Sequence, residues 1–232
     1  HFLNSLIEKD DVTLQFNNEA FEGKESICSM NNSPEERVVL ASGSAVRRNM
    51  LRHVGLDIVV AASNLDESVI KTAAMAHNVA PRNLAIQLAE AKAAAVARHY
   101  RGDWIIGADQ VLAFGQVLID KAGNLEEARK TLEKLSGQSH ELHTAVCVMR
   151  DAKVLWRYVD TAKLWMRPLS PDFIKGYLDR AGDEVLCSVG CYQIESLGAQ
   201  LFDRVQGDHF TIQGMPLLPL LAFLRSQGLM LA

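Results

Sequence analysis

The stretch Leu40-Ala-Ser-Gly-Ser-Ala-Val-Arg-Arg48 holds the residues best suited to bind an anion. Ser42 and Ser44 flank a glycine where a short apolar run ends and an amphipathic stretch begins. A strand that ends at a helix N-terminus in this way leaves backbone N–H groups to bind phosphate oxygens. Arg47 and Arg48 in the first helical turn can clamp the same oxygens with paired hydrogen bonds. The alternative is purely structural, with a serine capping the helix and the arginines exposed.

Two carboxylates follow other apolar runs. Asp109 lies in Gly107-Ala-Asp-Gln110 at the end of a predicted strand, the edge at which ligands of α/β proteins bind. A carboxylate there can orient water, bind Mg²⁺ or do both. Glu67, in the pair Asp66-Glu67, can bring a second carboxylate to the same edge. The alternatives are that Asp109 only starts a turn and that Asp66-Glu67 is a solvated helix start.

Two lysines complete the residues that could hold phosphate. Lys92 lies in the middle of an alanine-rich helix, and Lys121 follows Leu118-Ile119-Asp120 just before another predicted helix. An ammonium group is a compact cation that can neutralise a phosphate oxygen. For Lys92 the alternative is an ordinary exposed helical lysine.

The elements that must position these residues predict an α/β fold. Apolar runs that predict strands alternate with amphipathic stretches that predict helices from residue 37 onward. Strands are expected at 38–41, 57–61, 104–108, 140–149 and 154–166, and helices at 46–54, 83–100, 125–135, 171–181 and 217–227. The last two strands form a hairpin through Asp151-Ala152-Lys153. This order predicts one domain in which a mixed, central β-sheet with an antiparallel hairpin is flanked by helices.

The first 36 residues differ from the rest of the chain. Residues 1–36 carry a net charge of −6, whereas the remaining residues carry +2. The segment is rich in Asn and Ser, lacks an initiator Met and has no signal-peptide pattern. We interpret it as an appended acidic, partly flexible segment, with a short helix at residues 2–7 as the alternative. Residues 37–232 then form the folded domain.

Charge, hydropathy and cysteine content limit the partners and the compartment. The net charge of −4 does not predict a nucleic acid polymer as partner, because proteins that bind one normally carry a strong excess of basic residues. The apolar stretches are too short to span a bilayer, so no membrane partner is predicted. The four cysteines match no zinc or redox spacing, which predicts reduced, buried thiols in a cytoplasmic protein.

Two histidine-containing motifs carry no predicted chemistry. In His140-Glu-Leu-His143 the histidines are three residues apart in a predicted strand, so their side chains face opposite sides of the sheet. Gly207-Asp208-His209 has no nucleophile arranged with it and is expected to form a turn.

Together these motifs resemble the Maf-like family of nucleoside triphosphate pyrophosphatases. The resemblance runs from Arg37 to about Leu229 and depends on the order and spacing of short markers. These markers are Leu40 to Arg48, Asp66-Glu67, Leu88-Ala-Glu-Ala-Lys92-Ala93, Gly107 to Gln110, Lys121, Ser136-Gly137, Gly190 to Glu195 and Gly207 to Pro216. The resemblance implies a cleft of the Maf/ITPase type and hydrolysis of a nucleoside triphosphate to the monophosphate and pyrophosphate.

The resemblance also implies a role for each candidate residue. Asp109 matches the general base, and Glu67 with Asp109 matches the positions near a divalent metal, Mg or Mn. The positions that bind phosphate are matched by Ser42, Ser44, Arg47, Arg48, Lys92 and Lys121. Members of the family commonly form dimers, which makes a homodimer the expected assembly. A nucleotide-binding regulator of division that has lost turnover is the alternative function.

Three departures from the family pattern stand out. Ala45 replaces a frequent Pro, Asp120-Lys121-Ala122 replaces a Gly-Lys-Pro loop, and Val46 stands where many members have Arg and one subgroup has Trp. The loop departure puts the role of Lys121 in question.

Three positions separate substrate subgroups in the family. They hold Val46, Gln110 and Glu195 here, so two of three match the 7-methyl-GTP subgroup. A carboxylate can accept from both N1–H and the exocyclic amine of a guanine, and leaving such groups unpaired costs about 1–3 kcal/mol each. The alternatives are the same reaction on dTTP and UTP, or Glu195 as an exposed residue after a strand at 192–194.

Overall fold

The computed structural model describes residues 37–231, so the predicted appended segment lies outside the described residues. The helices are α1 (Ala45–His53), α2 (Glu67–Ala76), α3 (Pro81–Ala97), α4 (Leu125–Leu135), α5 (Pro171–Ala181), α6 (His209–Ile212) and α7 (Leu217–Ser226). The strands are β1 (Val38–Leu40), β2 (Val59–Val60), β3 (Trp104–Phe114), β4 (Val117–Ile119), β5 (Ser139–Arg150), β6 (Lys153–Met166) and β7 (Phe202–Gln206). None of these helices combines the length and the apolar character needed to cross a membrane.

The strands form one mixed sheet, which confirms the predicted fold class. The order is β2-β1-β3-β5-β6-β7, and β4 pairs separately with β3. β1 runs parallel to β2 and β3, whereas β3, β5, β6 and β7 pair antiparallel. Apolar side chains of α1 and α7 pack on one face of the sheet, and those of α3 pack on the other. A third apolar cluster joins α4 and α5 to the ends of β5 and β6.

β3 is the strand that shapes the site, and it is longer than predicted. It continues past residue 108 to Phe114, because β5 pairs with it from Ile105 to Ala113. On its other side, β1 pairs with β3 only as far as Ile106, and β4 pairs with β3 only from Leu112 onward. No strand among the described residues pairs with residues 107–111 on that side. The prediction that Asp109 ends a strand was therefore wrong, and the open edge is a gap in the sheet.

The hairpin of β5 and β6 forms as predicted, with a two-residue turn. Asp151 and Ala152 have φ values of 49° and 59°. Two successive residues with positive φ are the geometry of a type I′ turn, whose twist matches that of the flanking strands. The hairpin thus closes directly and places β5 along the whole length of β3.

Several elements were missed or shifted by the sequence analysis. β4, α6 and β7 were not predicted, and the expected strand at 57–61 is only two residues long. α2 agrees with the alternative that Asp66-Glu67 starts a helix, since Asp66 is its N-cap. In α2 only Ala74 is buried, so the periodic apolar signal of an amphipathic helix is weak. The alanine-rich helix begins at Pro81 and ends at Ala97, because proline is favoured in the first turn.

Gly107 allows α3 to approach β3 closely. A Cβ at this position would lie 2.3 Å from the carbonyl oxygen of Ala89 and 2.8 Å from the Cβ of Ala93. We expect Gly107→Ala to lower the free energy of unfolding by about 1–3 kcal/mol, since the two backbones must separate. Urea unfolding measures this change.

The matched control is Gly176→Ala in α5, where an added Cβ meets nothing within 4 Å. Alanine should be neutral there or stabilise the helix by up to about 1 kcal/mol. Equal destabilisation by both substitutions would contradict the close-packing argument for Gly107.

Candidate functional site

A cleft of about 1030 Å³ opens at the gap in the sheet. Ten of the eleven residues predicted from sequence line it, namely Ser42, Ser44, Val46, Arg47, Glu67, Lys92, Asp109, Gln110, Lys121 and Glu195. They come from the loop after β1, from α1, α2, α3 and β3, and from two later loops. The chain therefore brings its candidate cations, carboxylates and hydroxyls to one place, while their roles remain predictions.

The loop between β1 and α1 forms one wall of the cleft. Ser44 is the N-cap of α1, and its side chain accepts a hydrogen bond from the backbone N–H of Arg47 (3.4 Å). The Ser42 hydroxyl accepts from the backbone N–H of Ser44 (3.3 Å). Ser42, Gly43 and Ser44 all line the cleft, so the serine that caps α1 is also exposed to a ligand there. The wall has the helix N-terminus and hydroxyls that an anion site needs.

Arg47 is buried and braces three segments around the gap. Its Nε donates to the carbonyl oxygen of Gly214 (2.7 Å), and its Nη1 donates to the carbonyl of Ala108 (3.0 Å) and to Ser42 Oγ (3.2 Å). The Ala108 carbonyl belongs to the part of β3 that lacks a strand partner on the cleft side, so the guanidinium takes the place of that partner. Nη2 makes no hydrogen bond to a described residue. Its N–H groups remain available to a ligand in the cleft.

Acidic neighbours partly offset the effect of burial on the pKa of Arg47. Burial lowers the pKa of this guanidinium, and the negative charges of Asp109 and Glu67 oppose that shift. Because the ordinary pKa of arginine is far above neutral, the group remains a cation at physiological pH.

Arg48 does not join this group. It does not line the cleft, and its buried Nε has no hydrogen-bond partner among the described residues. Successive helical residues project about 100° apart, so two adjacent arginines on α1 cannot face one ligand together. The structure thus does not form the predicted clamp by both arginines.

Lys92 lies between the two candidate catalytic carboxylates. Its Nζ contacts Asp109 Oδ1 and lies 2.7 Å from Glu67 Oε1. The Lys92 side chain is only 13% exposed, so the alternative of an ordinary exposed lysine was wrong. Burial raises the pKa of Glu67, but the hydrogen bond and charge of Lys92, with the charge of Lys71, outweigh burial and lower it overall. Both carboxylates are thereby drawn to one cation.

A second ion pair, which the sequence motifs did not predict, lies beside this one. Lys71, one turn after Glu67 on α2, places Nζ 3.5 Å from Glu67 Oε2 and 2.5 Å from Asp120 Oδ1. Both Lys71 and Asp120 line the cleft. Burial lowers the pKa of Lys71, but the hydrogen bond and charge of Asp120 outweigh it and raise the pKa overall. Only the i, i+4 spacing of Glu67 and Lys71 could have signalled part of this network.

Lys121 is the cation in the cleft with no ion pair or hydrogen bond to a described residue. Partial burial and the charges of Arg47 and Lys92 lower the pKa of its ammonium, against the opposing effect of Glu67 and Asp109. A cation that its cationic neighbours destabilise gains most from an incoming anion. This property supports a role for Lys121 despite the unusual loop around it.

The donor set fits a hard divalent cation that a substrate would complete. Within residues 37–231, no three His, Cys, Asp or Glu side chains are grouped to hold a metal ion by themselves. Magnesium characteristically binds through one or two carboxylates together with phosphate oxygens and water. Glu67 and Asp109, whose oxygens converge on the Lys92 ammonium, provide that pair.

Gln110 presents a fixed hydrogen-bond acceptor to the cleft. Its Nε2 donates to the carbonyl oxygens of Thr211 (3.1 Å) and Ile212 (3.0 Å) and to Thr144 Oγ1 (2.9 Å). Thr144 Oγ1 in turn donates to the Thr211 carbonyl, which sets the direction of the network. These contacts fix which end of the amide is nitrogen. The Oε1 atom, which has no hydrogen-bond partner among the described residues, is available to accept from a ligand in the cleft.

Glu195 is exposed at the cleft and lies within a turn at residues 194–196, so the expected strand at 192–194 was wrong. The backbone N–H of Ser196 donates to the carbonyl of Gln193 (3.1 Å), and Gly198 packs so tightly there that a Cβ would lie 2.4 Å from that oxygen. The Tyr192 hydroxyl lies 2.6 Å from Nε2 of His140, which is 2% exposed. The turn that carries Glu195 is therefore anchored on both sides.

Two further residues of the cleft were not predicted to contribute. Glu184 lines the cleft and adds a further carboxylate to it. Cys187 also lines it and is exposed, whereas Cys147 and Cys191 are buried as predicted. Cys28 lies outside the described residues. The cleft therefore holds Arg47, Lys92 and Lys121 near one another, and Gln110, Glu184 and Glu195 add acceptors to its lining.

Comparisons with known proteins agree with the sequence motifs. A family model described as Maf-like protein matches residues 37–227. A nucleoside triphosphate pyrophosphatase from Caulobacter vibrioides is 47% identical over 191 residues, which are 82% of this chain and 96% of that protein. A 7-methyl-GTP pyrophosphatase from Mesorhizobium japonicum is 45% identical over 193 residues, 83% of this chain and 97% of that protein.

One solved structure is also similar, though weakly. A HAM1 protein from Coxiella burnetii covers 56% of this chain and 72% of that chain, with a TM-score of 0.35 and 16% identity. A likeness at this level carries no argument about the site.

Proposed function

The chain belongs to the Maf-like family, and we propose that it hydrolyses a nucleoside triphosphate to the monophosphate and pyrophosphate. The observation that carries this proposal is the junction of Asp109, Glu67 and Lys92 in a cleft that also holds Arg47 and Lys121. Two relatives more than 40% identical over most of their length are named for this reaction.

The cations of the cleft hold the phosphate chain. A triphosphate carries several negative charges, which repel a water molecule that becomes anionic as it attacks. The free Nη2 of Arg47 and the ammonium groups of Lys92 and Lys121 reduce that repulsion. The hydroxyls of Ser42 and Ser44 add donors at the N-terminus of α1. A divalent cation, Mg or Mn, held by Glu67 and Asp109, would neutralise further charge on the phosphates.

Asp109 activates the attacking water. Its carboxylate accepts a proton from a water molecule as that oxygen bonds to the α-phosphorus and the α–β anhydride bond breaks, releasing pyrophosphate. Lys92 holds Oδ1 of this carboxylate and so orients it, and substrate phosphates compete with Asp109 for the same ammonium group. General base catalysis of this kind contributes about 10²–10⁴-fold.

Pyrophosphate release across a panel of nucleotides with Mg²⁺ tests the proposal. The panel contains 7-methyl-GTP, GTP, dTTP, UTP, CTP and ATP, and the products are the monophosphate and pyrophosphate. Release of orthophosphate instead would contradict cleavage at the α-phosphorus. Binding of nucleotides without any turnover would favour the alternative, a nucleotide-binding regulator of division.

We further propose that the base is a guanine, with 7-methylguanine preferred. Gln110 Oε1 and the Glu195 carboxylate are acceptors in the cleft, and Glu184 adds a further negative charge to its lining. Guanine supplies two donor groups on one edge, whereas thymine and uracil supply one. Methylation at N7 adds positive charge, which nearby carboxylates favour. Val46 provides no aromatic ring for stacking, so discrimination against other bases should be weaker than with Trp.

We expect Glu195→Gln to reduce the preference for 7-methyl-GTP over UTP by about 5–20-fold. The amide keeps the shape of the side chain but replaces one acceptor by a donor and removes the charge. Ratios of kcat/KM for the two nucleotides measure the effect. Glu184→Gln serves as the comparison, because it makes the same change at a carboxylate of the cleft for which no contact with the base is proposed. An unchanged ratio in Glu195→Gln would contradict the paired contact.

Assembly and location follow from the same proposal. A homodimer is expected from the family, and light scattering of the purified full chain tests it. Nucleoside triphosphates are a cytoplasmic pool, so we propose a cytoplasmic location with no nucleic acid polymer or membrane as partner.

A further inference from the structure

Lys71 and Asp120 join two separate parts of the cleft wall. Lys71 belongs to α2, and Asp120 lies in the loop between β4 and α4. Their Nζ and Oδ1 atoms are 2.5 Å apart, although the residues are 49 positions apart in sequence. The pair therefore ties α2 to the loop that carries Lys121.

The bond to Asp120 is exchangeable. The Asp120 side chain is 67% exposed, and ion pairs in such positions contribute little to stability because water and salt screen them. α2 itself packs on the apolar cluster of α3 through Ala74, its one buried residue, and the partly buried Ile70, and it exposes Val69 and Met75. A ligand with more negative charge than one carboxylate can displace Asp120 from the ammonium group without disturbing a packed core.

Lys71 lies within reach of the phosphate-binding group. The Glu67 carboxylate forms ion pairs with both lysines: its Oε2 lies 3.5 Å from Lys71 Nζ, and its Oε1 lies 2.7 Å from Lys92 Nζ. The neighbour of Asp120 in the chain is Lys121, the cation without a partner among the described residues. A phosphate that reaches Lys121 comes close to the Asp120 carboxylate, and the two like charges repel. Departure of Asp120 then leaves Lys71 free to bind the same phosphate.

We propose that Lys71 is a further polyphosphate-binding residue and that Asp120 masks it in the free protein. On binding, the ammonium group exchanges the Asp120 carboxylate for a phosphate oxygen, and α2 moves with it toward the ligand. This proposal rests on the proposed function, because it assumes that a polyphosphate occupies the cationic end of the cleft.

Calorimetric titration of the full chain with inorganic pyrophosphate and Mg²⁺ tests the exchange without turnover. Lys71→Met should weaken binding about tenfold, the typical loss of one charge-assisted hydrogen bond. Lys71→Arg keeps the charge and should remain within about threefold of the original affinity. Asp120→Asn removes the mask and should tighten binding about threefold.

The double variant separates masking from a general charge effect. In the Lys71→Met background, Asp120→Asn should change the affinity less than about 1.5-fold, since no masked ammonium remains to be released. Equal tightening in both backgrounds would mean that Asp120 only repels phosphate. Weakening by Asp120→Asn would mean that the pair is a structural tie. Either result, or an unchanged affinity in Lys71→Met, overturns the proposal.

The exchange and the proposed reaction fail in different ways. If the protein releases no pyrophosphate from any nucleotide, the proposed function fails, but the titrations still decide the role of Lys71. If turnover is normal and the four variants bind pyrophosphate as tightly as the original protein, the exchange alone is wrong. Melting temperatures of all variants should agree closely, because Asp120 is 67% exposed and ion pairs at such positions contribute little to stability.

Discussion

The Asp109→Asn protein is expected to bind its nucleotide and to release almost no pyrophosphate. Asparagine has the size of aspartate but cannot take a proton from water, so kcat should fall by about 10²–10⁴-fold. Pyrophosphate release at saturating nucleotide measures the loss. The substitution leaves Lys92 in contact with Glu67, so the cationic end of the cleft remains assembled.

Two controls accompany this prediction. Thermal unfolding should show that Asp109→Asn is folded, and pyrophosphate titration should show affinity within a few-fold of the original. A second variant, Asp109→Glu, keeps the base but moves it by one methylene group and should retain more activity than the amide. Full activity of Asp109→Asn would rule out this residue as the base.

The Arg47→Met protein is expected to be less stable by about 3 kcal/mol and to bind pyrophosphate poorly. Removal of the guanidinium leaves the carbonyl oxygens of Ala108 and Gly214 without this donor and leaves the Ser42 hydroxyl with only the Ser44 N–H. Each buried group left without a partner costs about 1–3 kcal/mol, less where water of the cleft can replace the donor. Urea unfolding and pyrophosphate titration measure the two effects.

Arg48→Met is the matched control for stability. The neighbouring arginine is on the same helix turn, but its Nε has no partner among the described residues. Its substitution should change the free energy of unfolding by less than about 1 kcal/mol. Similar losses for both arginines would contradict the bracing role of Arg47.

Some elements could be predicted with their boundaries from local signals. α4 and α5 begin and end where the sequence analysis placed them, because Asn124 and Ser170 cap them and each has a clear apolar stripe. The β5–β6 hairpin was also recognised, from two long strand-forming runs around a short polar turn. Where capping, periodicity and turn residues agree, the sequence alone was sufficient.

Other elements depend on partners that are distant in sequence. β3 continues beyond residue 108 because β5 pairs with it, and nothing local near Asp109 signals that extension. Gln110 is a polar residue inside a strand, and its side-chain amide donates to the carbonyl oxygens of Thr211 and Ile212 in α6. The short strand β7 exists because it pairs with the end of β6. These features follow from tertiary contacts that local propensity does not contain.

The site shows the same limit. Motifs gave the residue types of the cleft, but they did not distinguish Arg47 from Arg48, which differ only in the direction that the helix gives them. They also missed Lys71 and Asp120, whose contact joins positions 49 residues apart. A motif thus identifies a phosphate-binding loop more readily than the individual atoms that meet the phosphate.

The gap in the sheet has a consequence for how such proteins can diversify. Asp109 and Gln110 are neighbours on β3, yet alternation along the strand sends the carboxylate toward α3 and the amide toward α6. If the proposed roles hold, bond cleavage by Asp109 and base recognition by Gln110 lie on opposite layers of the molecule and share a single peptide unit. Changes around Gln110 can accumulate on one layer, and thus retarget the protein to a new nucleobase, while the hydrolytic apparatus on the other layer stays intact.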